Sequence, residues 1–243
     1  MTRGVKMIGL CKSFTVAGKK IDVLKDFSAS FPEERVTVLL GKSGCGKTTL
    51  IRIIAGLEDF GGGKLEKPQC EKIGIVFQEP RLMPWLTVAE NIAFGKKTEL
   101  GGEKIAKIIE LVNLAGFERA YPHQLSGGMQ QRAAIARTLM HDPEMILMDE
   151  PFASLDYFIR ETLQNKLIEI HRATGKSVVF VTHSVDEALI LGHKIIVIGE
   201  GRVQKEFDLT ACPYPRDLLC EELIAAKKEV LAAIKQTESL PTL

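Results

Sequence analysis

Short apolar runs alternate with segments of helical period along most of this chain. The first stretch is different. From Val5 to Phe31 apolar and polar residues alternate in short runs broken at Ala17-Gly18, which predicts antiparallel strands. Val36-Thr-Val-Leu-Leu40 is a compact apolar run of the kind buried on both faces of a parallel sheet. A glycine-rich stretch follows, then Thr48–Gly56 with helical spacing, and Gly61-Gly62-Gly63 reads as a flexible turn. Ile73–Phe77 is another short apolar strand. Residues 87–94 and 102–116 have helical periodicity, with Ile105, Ile108, Ile109 and Val112 on one face. Gln130–Met140 is an alanine-rich helix ended by His141-Asp142-Pro143. Met145–Met148 is a buried strand leading to Asp149-Glu150-Pro151. A helix from Tyr157 to Ala173 passes through Gly175 to the strand Ser177–Thr182. A further helix begins near Val185, Lys194–Ile198 is a strand, and a charged amphipathic helix runs from beyond Pro215 to about Gln236.

Strands alternating with helices predict an α/β fold with a mostly parallel sheet. The departures from that rhythm predict an N-terminal antiparallel β-subdomain at about residues 3–35, an inserted α-helical subdomain at about 85–140, and a C-terminal helical tail at about 215–243, all within a single domain spanning 1–243. At 243 residues and 45% hydrophobic content, the chain can bury one substantial core. A net charge of +1 gives no bulk pull towards nucleic acid or membrane. Five cysteines (Cys11, Cys45, Cys70, Cys212, Cys220) form no C-x-x-C pair and read as reduced thiols in a cytosolic protein. Residues 1–30 lack the apolar run of a signal peptide, and no stretch reaches the roughly 20 apolar residues of a membrane helix. Work at a membrane would therefore go through a partner.

The chemistry centres on Gly41-Lys-Ser-Gly-Cys-Gly-Lys-Thr48, between a strand and a helix. Backbone N–H groups of such a loop converge on phosphate oxygens, and the helix behind adds its positive end. Lys47 is predicted to reach the β- and γ-phosphates of ATP, and the Thr48 hydroxyl to bind Mg²⁺. Asp149 ends an apolar strand, aimed at the metal side of the cradle. Glu150 beside it can polarise an attacking water. Gln78 also follows a strand, where its amide can contact Mg²⁺ and that water. His183 follows Thr182 at the strand end where ligands of open α/β sheets bind, a position suited to sensing the γ-phosphate. Ser126-Gly127-Gly128 precedes the alanine-rich helix and offers an anion its free N–H groups. Read alone, without the other motifs, it is better taken as an N-cap serine with a glycine turn.

Taken in order along the chain, these elements resemble the ATP-binding subunit of an ABC (ATP-binding cassette) transporter. The resemblance covers about residues 5–210 and implies a P-loop NTPase core. It implies that Phe14, within Lys12-Ser-Phe14, stacks on adenine. Gly41, Lys42, Ser43, Gly44, Cys45, Gly46, Lys47, Thr48 and Thr49 would hold the phosphates. Gln78 matches the Q-loop, Leu125-Ser-Gly-Gly-Met129 the family signature with methionine where glutamine is commoner, and Ser154-Leu155-Asp156 the D-loop. Catalysis would fall to Lys47, Gln78, Glu150 and His183, and Mg²⁺ to Thr48, Gln78 and Asp149. Ser126, Gly127, Gly128 and Asp156 would act in trans, against ATP held by a second copy in a head-to-tail homodimer. ATP then joins the two copies and hydrolysis releases them.

Gln78-Glu-Pro-Arg-Leu-Met-Pro-Trp-Leu-Thr87 is similar to the Q-loop region of importers for sulfonates, taurine and nitrate, and Thr182-His-Ser-Val-Asp-Glu-Ala188 to the importer pattern after the histidine. That implies import of a small anion or organosulfonate, integral permease subunits as partners, an extracytoplasmic solute-binding protein acting indirectly, and a peripheral place on the cytoplasmic face of the membrane. No nucleic-acid partner is expected. Trp85, the single tryptophan, is either partly exposed near the groove for a permease helix or an ordinary core residue. An exporter subunit is one alternative. A soluble ABC ATPase acting on ribosomes or nucleic acid is another, but such chains usually carry two cassettes or long coiled-coil insertions.

Overall fold

The computed structural model describes residues 4–67, 72–96, 102–153 and 155–236. Along the chain the elements run β1 (Gly4–Val16), β2 (Lys19–Pro32), β3 (Val36–Leu40), α1 (Lys47–Ile54), β4 (Gly62–Glu66), β5 (Ile73–Val76), α2 (Val88–Ala93) and α3 (Glu103–Leu111). They continue with α4 (Gly127–Met140), β6 (Met145–Asp149), α5 (Tyr157–Thr174), β7 (Ser177–Thr182), α6 (Val185–Leu191), β8 (Lys194–Gly199), β9 (Arg202–Asp208) and α7 (Glu221–Gln236). Two compact units emerge, one drawn from Met1–Cys70 and Ser177–Leu243, the other from Glu71–Lys176.

In the first unit β1 lies between β2 and β4 in an antiparallel sheet. Strand β4 corrects the sequence reading, which made Gly61-Gly62-Gly63 a flexible turn. These glycines instead lead into a strand. Gly63 has φ +89°, and a Cβ there would overlap the Gly9 carbonyl oxygen across the sheet. Glycine marks a close backbone approach here. The second sheet of this unit sets β3 between β7 and β8, both parallel to it, with β9 antiparallel on β8. Strand β9 was not anticipated, because its exposure alternates little and its sequence, Arg-Val-Gln-Lys-Glu-Phe-Asp, is mostly polar. All residues of β3 and β7 are buried, as a central parallel sheet requires.

The C-terminal arm is tied to α6 and β8. The Arg216 guanidinium donates to the carbonyls of Leu189 (2.7 Å), Gly192 (2.6 Å), Leu209 (2.9 Å) and Cys212. It thereby closes the C-terminal end of α6, where carbonyls are left over. Tyr214 donates its hydroxyl to the Leu191 carbonyl, and its ring meets the His193 ring edge-on at 5.1 Å. The tail predicted from 215 is helical over Glu221–Gln236; residues 237–243 lie outside the described residues.

In the second unit β5 and β6 run parallel. Helix α4 packs against α2, α3, α5 and β5. Its polar residues Gln131 and Thr138 are buried with the apolar ones. Asn91 of α2 is fully buried and satisfied. Its amide donates to the carbonyls of Met83, Leu86 and Thr87, and its oxygen accepts from the Met83 N–H. That closes the loop carrying Trp85, which is 69% exposed. The core reading of Trp85 is therefore wrong: the loop is folded by Asn91, not by the indole. Among the described residues no helix is long and apolar enough to cross a membrane.

Candidate active site

The phosphate loop lies in the first unit. Strand β3 delivers the chain to Gly41, and α1 starts at Lys47. Between them Gly44 (φ +84°) and Gly46 (φ +102°) take left-handed conformations. A Cβ on Gly46 would also stand 2.9 Å from Leu24 Cδ2, so both conformation and space demand glycine. No side chain caps α1. Its leading N–H groups thus point into the loop, the arrangement an anion needs. Lys47 is buried, and its Nζ donates to the carbonyls of Gly41 (2.7 Å) and Lys42 (2.8 Å) across the loop. The Cys45 Sγ lies 3.9 Å from the same nitrogen. Lys42, Ser43, Gly44 and Thr48 are exposed, and Thr49 is half-buried. The loop fits a polyphosphate.

His183 shares the sheet edge with that loop. The parallel register pairs Leu40 with Thr182, so the next residues, Gly41 and His183, stand level. His183 is exposed on a turn that its neighbours fix. The Thr182 hydroxyl donates to the Glu187 carboxylate and accepts from the Ser184 N–H (3.0 Å), while the Glu187 N–H donates to Ser184 Oγ (3.4 Å). Glu187 is only 6% exposed. Its role was not legible in the sequence beyond the resemblance of residues 182–188. Phe14 is half-buried on β1, with Lys12 Nζ 4.8 Å from its ring centroid and bonded to Glu58 at 2.6 Å.

A second strand edge, in the other unit, gathers the remaining polar groups. The register of β5 on β6 pairs Val76 with Met148. Continued one residue, it sets Phe77 level with Asp149, and Gln78 and Glu150 are the residues that follow. Glu150 has φ +46°, an uncommon backbone for a residue with a side chain. Strain of this kind clusters at functional positions. Gln78 is exposed.

The backbone around Gln78 is held from α4. Gln131 Nε2 donates to the Phe77 carbonyl at 3.3 Å. The Arg137 guanidinium donates to the carbonyls of Pro80 (3.1 Å) and Arg81 (2.8 Å). Burial holds the Arg137 guanidinium below its ordinary pKa. Neither contact was visible in the sequence; the only available signal was two polar residues inside an alanine-rich helix. Beside them lies a recess of about 600 Å³, lined by Lys72, Arg81, Met83, Phe94, Lys96 and Arg137 among others, with no carboxylate in its lining among the described residues.

At the other end of α4, Ser126 caps the helix by accepting from the Met129 N–H (3.3 Å). A hydroxyl that accepts one N–H still has a proton to donate. The N-cap reading of Ser126 is thus met, and the cap leaves that proton in place. Asp156 likewise caps α5, accepting from the Ile159 N–H at 3.0 Å. Gly127 and Gly128 form the first turn of α4. Ser154 lies outside the described residues.

Comparison with known proteins bears on these features directly. Residues 24–153 match the family model described as ABC transporter. An uncharacterised ABC transporter ATP-binding protein of Methanocaldococcus jannaschii is 44% identical over 95% of this chain and 91% of its own length. The aliphatic sulfonates import ATP-binding protein of Bacillus cereus (strain ATCC 10987 / NRS 248) is 39% identical over 93% of this chain and 94% of its own length. Among solved structures, an ATP-binding cassette determined as a dimer in a post-hydrolysis state with ADP and Pi is 31% identical, with a TM-score of 0.74 over 84% of this chain and 98% of that one. The phosphate loop, the two strand edges and the capped α4 therefore belong to a P-loop NTPase, an ATPase that binds ATP with Mg²⁺, and the chain is a member of the ABC transporter family of ATP-binding subunits.

Proposed function

We propose that this chain powers the import of a small organosulfonate-like anion as one of two identical ATPase subunits bound to membrane permease subunits. The loop Gly41–Thr49 cradles the phosphates through its N–H groups, with the Lys47 ammonium at the β- and γ-oxygens and the Phe14 ring against adenine. Thr48, Gln78 and Asp149 would be the oxygen donors for Mg²⁺, a cation that usually takes few protein ligands besides phosphate and water. When bound, Mg²⁺ neutralises charge on the transferring phosphoryl group. Glu150 orients and deprotonates the attacking water, and His183 contacts the γ-phosphate. Phosphoryl transfer demands mainly positioning and charge neutralisation, which these groups supply.

The observation that carries the two-subunit reading is the N-terminus of α4, where Ser126 keeps a proton to donate and Ser126 and Gly127 are exposed. Ser126, Gly127, Gly128 and Asp156 act on ATP held by the second copy. The dimeric relative supports this, and the sulfonate-import relative supports the direction and solute class. The permease offers a cytoplasmic segment to the recess beside Arg81 and Arg137, whose cations favour an acidic partner. The subunit then sits peripherally on the cytoplasmic face, and solute is delivered by an extracytoplasmic binding protein. No nucleic-acid partner belongs to this reading, since a net charge of +1 gives no bulk pull towards nucleic acid.

Glu150→Gln tests the reading. It removes the base and keeps the shape, so ATP and Mg²⁺ should convert the variant to a stable dimer that does not turn over. A profile that stays monomeric in size-exclusion chromatography at saturating ATP and Mg²⁺ would contradict the shared site.

A further inference from the structure

Helix α4 grips one short piece of backbone from a single direction. Gln131 donates to the Phe77 carbonyl, Arg137 forks across the carbonyls of Pro80 and Arg81, and the Thr138 hydroxyl approaches the Ile75 carbonyl at 3.4 Å. Arg81 adds a lock of its own. Its backbone is left-handed (φ +47°), and its guanidinium lies 4.0 Å from the Phe77 ring centroid. The turn from Phe77 to Arg81 is therefore folded on itself and pinned at both ends. Gln78 stands between the pins with its side chain exposed.

We propose that Arg137 is a positioning residue for Gln78, acting through the carbonyls of Pro80 and Arg81. The inference rests on the reading of Gln78 as a Mg²⁺ and water contact. A planar guanidinium presents its two donors to these carbonyls in a fixed fork; a lysine ammonium reaches carbonyls from one nitrogen on a flexible stem and does not reproduce that geometry. The helix that supplies Arg137 begins at Ser126, so the group offered to the second copy's ATP and the group that sets Gln78 belong to one rigid element. Arg137 also lines the recess assigned above to the permease. An occupant of that recess would meet the guanidinium that holds the Gln78 turn.

The experiment is a double-mutant cycle on the full chain with Arg137→Lys and Gln78→Ala, followed by ATP turnover against ATP and Mg²⁺ and by hydrogen exchange of the amides at residues 77–83. Arg137→Lys should cut kcat about tenfold and raise the Mg²⁺ half-saturation while moving KM for ATP less than about twofold. The same amides should exchange faster without nucleotide. In the Gln78→Ala background Arg137→Lys should slow turnover no further. Gln131→Leu frees the turn by a second route and should follow the same pattern should Arg137→Lys fold poorly. Independent, multiplying losses would overturn the inference, as would a changed melting temperature with unchanged exchange at 77–83. Full turnover in Gln78→Ala alone would instead remove the reading of Gln78, and this inference with it.

Discussion

A methyl group on Gly128 would overlap Cγ2 of Ile159. Gly128 stands in the first turn of α4 and Ile159 in the first turn of α5, so these two helix starts abut with no room for a side chain on one of them. The φ of Gly128 is not left-handed, so the requirement is space, not conformation. Gly128→Ala should cost about 1–3 kcal/mol, the usual penalty of overpacking, and lower the melting temperature accordingly. Adding Ile159→Ala should recover part of the loss, because it removes the atom in the way. If Gly128→Ala melts like the parent, the close approach is not a constraint.

Ser126 offers a way to separate capping from phosphate contact. Aspartate caps a helix about as well as serine. It also places a negative charge where the second copy's phosphate should come. Ser126→Asp should keep the melting temperature and single-chain ATP binding, yet lower ATP-dependent turnover by about a hundredfold, the scale of losing one such donor. Equilibrium ATP binding and turnover measured on the same preparation decide it. Normal turnover in Ser126→Asp would leave Ser126 as a cap alone.

The arm around Tyr214 predicts an alkaline limit to stability. Burial pushes the Tyr214 hydroxyl up from 10.0 to about 12, opposed by the cations of Arg216 and Arg35. The folded state therefore holds this proton more tightly than the unfolded state. Its contribution is complete below pH 10 and is lost as pH rises towards 12. A shift of this size corresponds to about 2–3 kcal/mol. Denaturant unfolding at several pH values should show the decline, and Tyr214→Phe should flatten it. An equal slope in both proteins would show that Tyr214 does not carry the effect.

Much of the fold was legible locally. The apolar runs Val36–Leu40, Ile73–Phe77, Met145–Met148, Ser177–Thr182 and Lys194–Ile198 all lie on strands; apart from the half-buried β5 they are almost wholly buried, which leaves few polar positions to interrupt the pattern. Strands β4 and β9 were not legible. Gly62-Gly63 looks like a turn until the Gly9 backbone is set against it, and β9 is a largely exposed edge whose partner, not its composition, makes it a strand. Trp85 was undecided because nothing local reveals that Asn91, several residues later, closes its loop.

The sequence by itself determined the ATPase identity of the chain, because phosphate binding is built from consecutive residues: glycines that free the backbone, a lysine, a threonine, and polar groups placed one step beyond apolar strands. Only the tertiary structure decided which groups stand level with one another, Gly41 with His183 and Phe77 with Asp149, and which side chains hold the turns beside them. Arg137, Gln131 and Glu187 work through carbonyls and hydroxyls of other segments. Such bonds depend on distances in space, and those distances exist only once the chain has packed.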